Sequence, residues 1–123
     1  MKIFRFDPED GQENGQFDSM KAIISKVLHL DNRAEINAIY LHPNGKIDYH
    51  QAVTRQLFLL VEGDGWVRGE SDGEQAVRKG QAVFWERDEW HESGTESGMT
   101  AVIIDGEKVD PVKLMPLLQE DKL

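Results

Sequence analysis

Two histidines stand where they could do chemistry. His50 lies in "YHQAVTRQLFLLVEGDGWV", residues 49–67, ahead of an apolar run that ends in a Gly-x-Gly turn. His91 lies in "RDEWHESGT", residues 87–95, with Trp90 beside it and Glu86, Glu89 and Glu92 close in sequence. A neutral imidazole is a good ligand for zinc, iron, nickel or manganese. Each histidine therefore has three readings: metal ligand, small-molecule-binding residue, or strand histidine satisfied by its neighbours. Trp90, in an otherwise polar segment, could form a ligand platform, whereas Trp66 and Trp85 read as core or interface. The chain has no cysteine, which excludes thiolate metal sites, disulfide scaffolds and cysteine nucleophiles. His29 and His42 carry no such signal. Ser71, Ser93 and Ser97 sit in plain turns, with no nucleophile motif and no phosphate loop around them.

Charge narrows the partners. There are 23 Asp and Glu against 14 Lys and Arg, a net charge of −9. Nucleic acid and anionic membranes are bound by concentrated cations that release counterions. Here the cations are scattered and outnumbered, so neither is an expected partner. No stretch approaches the ~18 apolar residues of a membrane span, and the first residues lack the apolar core of a signal peptide. The chain reads as soluble and cytoplasmic. Its 123 residues are enough for one domain with a core of its own.

The elements that must position the histidines are strands. Alternating or continuous apolar runs cover 2–6, 19–30, 34–42, 46–52, 55–63, 75–80, 81–86 and 99–106, with Gly- and Asn-rich turns between them. Within 46–52, period two places Asp48 and His50 on one face and Ile47 and Tyr49 on the other. The Gly63-Asp64-Gly65 turn predicts a hairpin between 55–63 and 64–70. Asn44-Gly45 predicts a turn with positive φ. Residues 109–123 predict a helical tail, capped by Asp110, begun by Pro111 and interrupted by Pro116, with Val112, Met115 and Leu118 available to dock. The whole reads as one all-β barrel or sandwich, 1–123, with that tail appended.

From residue 34 to residue 106 the pattern resembles the cupin superfamily, whose fold is a double-stranded β-helix, or jelly-roll barrel. Two blocks carry the resemblance, at about 44–63 and 80–95. Gly63 matches the glycine that ends the first block, and Gly80 the one that opens the second. The family's histidine pair falls on His50 and Ala52, its glutamate on Gln56, its Pro-x-Gly turn on Glu86-Arg87-Asp88, and its last histidine on His91. The resemblance implies a divalent metal in the barrel, here with only His50, Gln56 and His91 as ligands, so weakly held or lost. It also implies a homodimer, for which the "KIFRF" strand is the expected contributor at an otherwise open sheet edge.

His50, Gln56 and His91 are expected to face one cavity, with Glu86 and Trp90 as further ligand-binding candidates. Both histidines would then face a pocket, so either could be lost at little cost in stability. Three functions follow: a small-molecule-binding cupin with a weak or absent metal, a metal-dependent cupin enzyme such as an oxygenase or isomerase, or a protein-interaction module. Ala52 and Gln56 favour the first over the second.

Overall fold

A computed structural model describes residues 1–13, 23–30 and 32–118. Its strands are β1 Lys2–Arg5, β2 Gln12–Glu13, β3 Ile23–Ile24, β4 Glu35–Leu41, β5 Lys46–Gln51, β6 Gln56–Arg68, β7 Gln75–Arg78, β8 Gln81–Trp85, β9 Trp90–Gly94 and β10 Met99–Asp105. All pairings are antiparallel. One sheet runs β1-β8-β6-β10-β4; β7, β6, β9 and β5 form the opposing surface. β2 and β3 make a separate two-stranded ribbon.

β6 is the shared element. Its first half pairs with β8 and β10, and its second half with β7 and β9. This replaces the hairpin expected at Gly63-Asp64-Gly65. The glycines serve close approach rather than reversal: a Cβ on Gly63 would strike the Gly98 carbonyl oxygen, and one on Gly65 that of Gly94. Gly63 also has φ +83°, which only glycine adopts without strain. One strand can therefore bend from sheet to sheet and close the barrel.

Two apolar layers result. Ile3, Phe58, Leu60, Val67, Val77, Val83, Trp85, Met99 and Ala101 draw on both sheets and fill the space between them. Phe4, Leu57, Leu59, Ala82, Phe84, Val109 and Met115 line the outer face of the first sheet. Alternation along β6 and β8 sorts side chains between the layers, so these central strands read as continuous apolar runs.

The tail that covers the outer layer is not a helix. Residues 109–118 make one turn, in which the Leu114 and Met115 amides donate to the Pro111 carbonyl. Pro116 has no amide to continue it. Instead the Pro116 carbonyl accepts from the Arg5 amide at 3.1 Å, and Leu117 bridges to Phe4. Met115 is buried as expected, whereas Val112 is 56% exposed. Residues 119–123 of the expected helix lie outside the described residues. So do 19–22 of the expected 19–30 strand, whose described part is strand only at Ile23–Ile24. β1 is held on one side by β8 and on the other by the tail. Among the described strands, β4 pairs only with β10, and its Ile36 and Tyr40 side chains are 67% and 69% exposed.

Candidate functional site

The turns at the barrel ends have the expected backbone. Asn44 has φ +65° and Gly80 φ +90°. Asp88, which stands in the glycine position of the Pro-x-Gly turn, has φ +72°. Aspartate is among the few residues that tolerate this conformation. Its amide donates to the Ala52 carbonyl and the Ala52 amide donates to the Glu89 carbonyl, both at 2.9 Å. The loop after β5 is thereby tied to the turn that launches β9.

β5 and β9 bring the two histidines together. His50 pairs with His91 in register, and the ring centroids lie 4.3 Å apart. The geometry is reached through a bulge. Ile47 pairs with Ser93 and His50 with His91, so three steps on β5 span two on β9. A strict alternation would set Ile47 and His50 on opposite faces. The extra residue turns His50 to the Ile47 side, and the pairing with Asp48 predicted from period two does not hold.

The two imidazoles differ in environment. His91 is 3% exposed and stacks on the Trp85 indole, with centroids 4.1 Å apart and planes 19° apart. Its pKa is lowered from 6.5 to about 4, chiefly by burial and then by the adjacent His50. It is neutral at physiological pH. His50 is exposed, and its Nδ1 lies 2.7 Å from the Asp48 carbonyl oxygen. A carbonyl only accepts, so Nδ1 is the donor in this contact. The expectation that either histidine could be lost at little cost in stability does not fit His91, which is buried in the core; His50 is exposed.

Gln56 lies opposite Trp85, on the same parity as the inward Phe58 and Leu60. Its amide nitrogen donates to Asp105 Oδ1 at 2.9 Å. Ala52, at the second histidine position, is buried and offers no donor. Among the described residues, no three His, Asp or Glu side chains converge on a point. The donor set does not fit a resident divalent metal: two imidazoles meet no anionic ligand to offset the ion's charge.

Glu86 and Trp90 point elsewhere. Glu86 is exposed at the barrel end, 3.2 Å from Arg55 Nε. Trp90 alternates with His91 and faces outward. It stacks on Tyr49 at 5.4 Å, while the Arg68 guanidinium lies 4.6 Å from the Tyr49 ring centre. Arg68 also donates to Glu92 at 2.8 Å, which holds the Glu92 carboxyl below its ordinary range.

Sequence reasoning missed the centre of the site, Trp85. It is fully buried, packs edge-on to Phe58 at 6.0 Å, and its Nε1–H has no partner. The parity of "QAVFW" already placed it on the Val83 face; its contact with His91 depends on how the two sheets oppose each other.

This architecture is the double-stranded β-helix of the cupins. The chain adopts the cupin fold. It matches a cupin superfamily protein from Desulfitobacterium hafniense with a TM-score of 0.56 and 11% identity, over 71% of this chain and 79% of that one. A cupin-2 domain protein from Shewanella frigidimarina aligns with a TM-score of 0.53 and 15% identity, over 65% and 76%. A cupin-like protein from Thermotoga maritima gives 0.57 and 16%, over 68% and 62%. At these identities the likeness is one of fold. No family model matches the sequence, and no curated protein does.

Proposed function

We propose that this chain is a small-molecule-binding cupin, cytoplasmic and homodimeric, whose ligand enters at His50 and is met by the polar groups behind it. The observation that carries this reading is the Trp85 indole N–H, buried without a partner beside the buried imidazole of His91. An unsatisfied buried donor costs about 1–3 kcal/mol, and natural cores hold few of them. A ligand oxygen accepting from this N–H would recover that energy. His50 Nε2 would accept from a ligand hydroxyl or amide.

The test is a thermal-shift screen of small hydroxy and amide compounds on the wild type and on His50→Ala. Without ligand the two should melt within about 2 °C of each other, because exposed substitutions change stability by less than ~0.5 kcal/mol. Ligand at about one hundred times its dissociation constant adds ~2.7 kcal/mol to the wild type. His50→Ala should lose most of that gain. A ligand shift that survives the substitution places the site elsewhere. Zinc, iron, nickel and manganese salts belong in the same screen, since His50, His91 and the Gln56 amide oxygen define at best a weak site.

The homodimer reading moves from β1 to β4. Ile36, Ala38 and Tyr40 present an apolar face on a strand with a free edge, and a second copy of the same edge would pair with it isologously. Sedimentation at micromolar concentration should give a dimer for the wild type and a monomer for the Ile36→Lys, Tyr40→Glu double variant. A wild-type monomer would refute the assembly.

A further inference from the structure

One end of the barrel gathers four cations in a chain that is strongly acidic overall. Arg33, Arg55, Arg87 and Lys108 come from four separate segments, yet they line adjoining depressions. A cavity of about 240 Å³ is bounded by Thr54, Arg55, Arg87, Glu107 and Lys108. A neighbouring one of about 460 Å³ shares Thr54 and Glu107 and adds Arg33 together with the carboxylates of Glu35 and Asp105. A third, of about 410 Å³, joins Arg33 to Glu107 and Lys108.

The backbone beneath is cross-tied. The Gly106 amide donates to the Arg55 carbonyl at 3.1 Å, and the Val109 amide to the Gly106 carbonyl at 3.3 Å. A Cβ on Gly106 would come within 3.0 Å of the Arg33 carbonyl oxygen, so these segments pack closely. Arg55 and Lys108 therefore project from segments tied by main-chain bonds, which lowers the entropy lost when they hold a ligand.

Among the described residues no ion pair forms to Arg33, Arg87 or Lys108, while Arg55 reaches Glu86 at 3.2 Å. Glu107 is the carboxylate common to the three depressions, and Asp105 accepts from Gln56. Four cations meet four acids, Glu35, Glu86, Asp105 and Glu107, but Glu35 and Asp105 line only the depression of about 460 Å³; the one of about 240 Å³ sets Arg55, Arg87 and Lys108 against Glu107. A second polar group points the same way. The Thr54 hydroxyl is buried, has no hydrogen-bond partner and lies in the wall of two of the depressions. A hydroxyl donor flanked by guanidinium forks and an ammonium is the chemistry that recognises an oxyanion. The smallest depression, about 240 Å³, is below the ~300–1,000 Å³ of sites for drug-sized ligands. It suits the anionic end of a small molecule.

We propose that this end of the barrel is a binding site for a small oxyanion, a carboxylate or phosphate group held by Arg87, Lys108 and Arg33 with the Thr54 hydroxyl. It uses none of His50, His91 or Trp85, so it stands or falls independently of the ligand site at His50.

The test is amide chemical-shift titration of the full chain with inorganic phosphate and, separately, malonate, at an ionic strength held constant with chloride. Saturable shifts are expected at residues 32–34, 54–55, 87 and 106–108. Arg87→Gln with Lys108→Gln should weaken binding at least tenfold. Glu107→Gln, which removes the competing carboxylate, should strengthen it severalfold, and His50→Ala should leave it unchanged. A response to phosphate alone or to malonate alone supports the site and identifies the oxyanion. Shifts that are absent, that chloride reproduces, or that survive the double substitution overturn it, as does weaker binding in Glu107→Gln. All four substituted side chains are exposed, so retention of the wild-type amide spectrum elsewhere confirms that loss of binding is not loss of fold.

Discussion

Trp85→Ala should lower the unfolding free energy by about 3–5 kcal/mol, the range for truncating a buried tryptophan or phenylalanine in a packed core. Trp85 has no exposed surface and touches both the Phe58 and His91 rings. Alanine would leave a cavity walled by two aromatic groups held on different strands, which can collapse only in part. Small domains have about 5–15 kcal/mol of stability in all, so the loss is a large share of it. Trp85→Phe separates two contributions. It keeps most of the apolar volume and deletes a buried N–H that has no partner among the described residues, so its loss should be less than half that of alanine. His91→Ala should fall between them, at about 2 kcal/mol or more, while His50→Ala stays near zero. Urea unfolding at pH 7 reads all four. A loss below about 1 kcal/mol for Trp85→Ala would show that the indole is not the packed centre of the barrel.

How far the sequence foretold this depends on the kind of signal. The strands were legible because β4, β6, β8 and β10 carry apolar runs bounded by turn residues. The positions of His50 and His91 were legible because glycines with fixed backbone demands, Gly63 and Gly80, anchor the count along each strand. Three features were not. The bulge in β5 adds a residue with no compositional mark, and it sets His50 on the Ile47 side rather than with Asp48. The Gly63-Asp64-Gly65 stretch resembles a hairpin turn locally; only the nearby Gly94 and Gly98 carbonyls show that the glycines make room for other strands. The tail has a valid helix start at Asp110-Pro111, but Pro116 and the edge of β1 together offer the chain a better set of hydrogen bonds. The basic cluster was invisible because its members are spread from residue 33 to residue 108, and only the fold assembles them. In each case a non-local contact decided between local alternatives of similar energy.

Stability should fall as the solution is acidified from pH 7 to pH 4, and His91 should account for a separable part of the fall. The sign follows from the two states. Unfolded, His91 takes up a proton near its ordinary value of 6.5; folded, it does so only near about 4. Between those values the unfolded chain binds more protons, so acid favours unfolding. The stabilisation is fully present above pH 6.5 and is lost as pH falls towards 4. Each unit of pKa difference corresponds to 1.36 kcal/mol, which sets an upper figure of about 3 kcal/mol across the window. Carboxylates with depressed values, Glu92 among them, act lower: their stabilisation is lost below their unfolded values near 4.5. The histidine contribution is therefore the part seen between pH 6.5 and 5. His91→Gln, which does not titrate, should be less stable at pH 7 yet show a much flatter profile over that interval. The neighbouring ring supplies a second check. Burial is the leading cause of the low value and His50 the next, so His50→Gln should raise the His91 pKa measured by NMR without restoring it to 6.5. Parallel profiles for wild type and His91→Gln would mean that His91 is hydrated in solution and that the Trp85 stack does not exclude water from it.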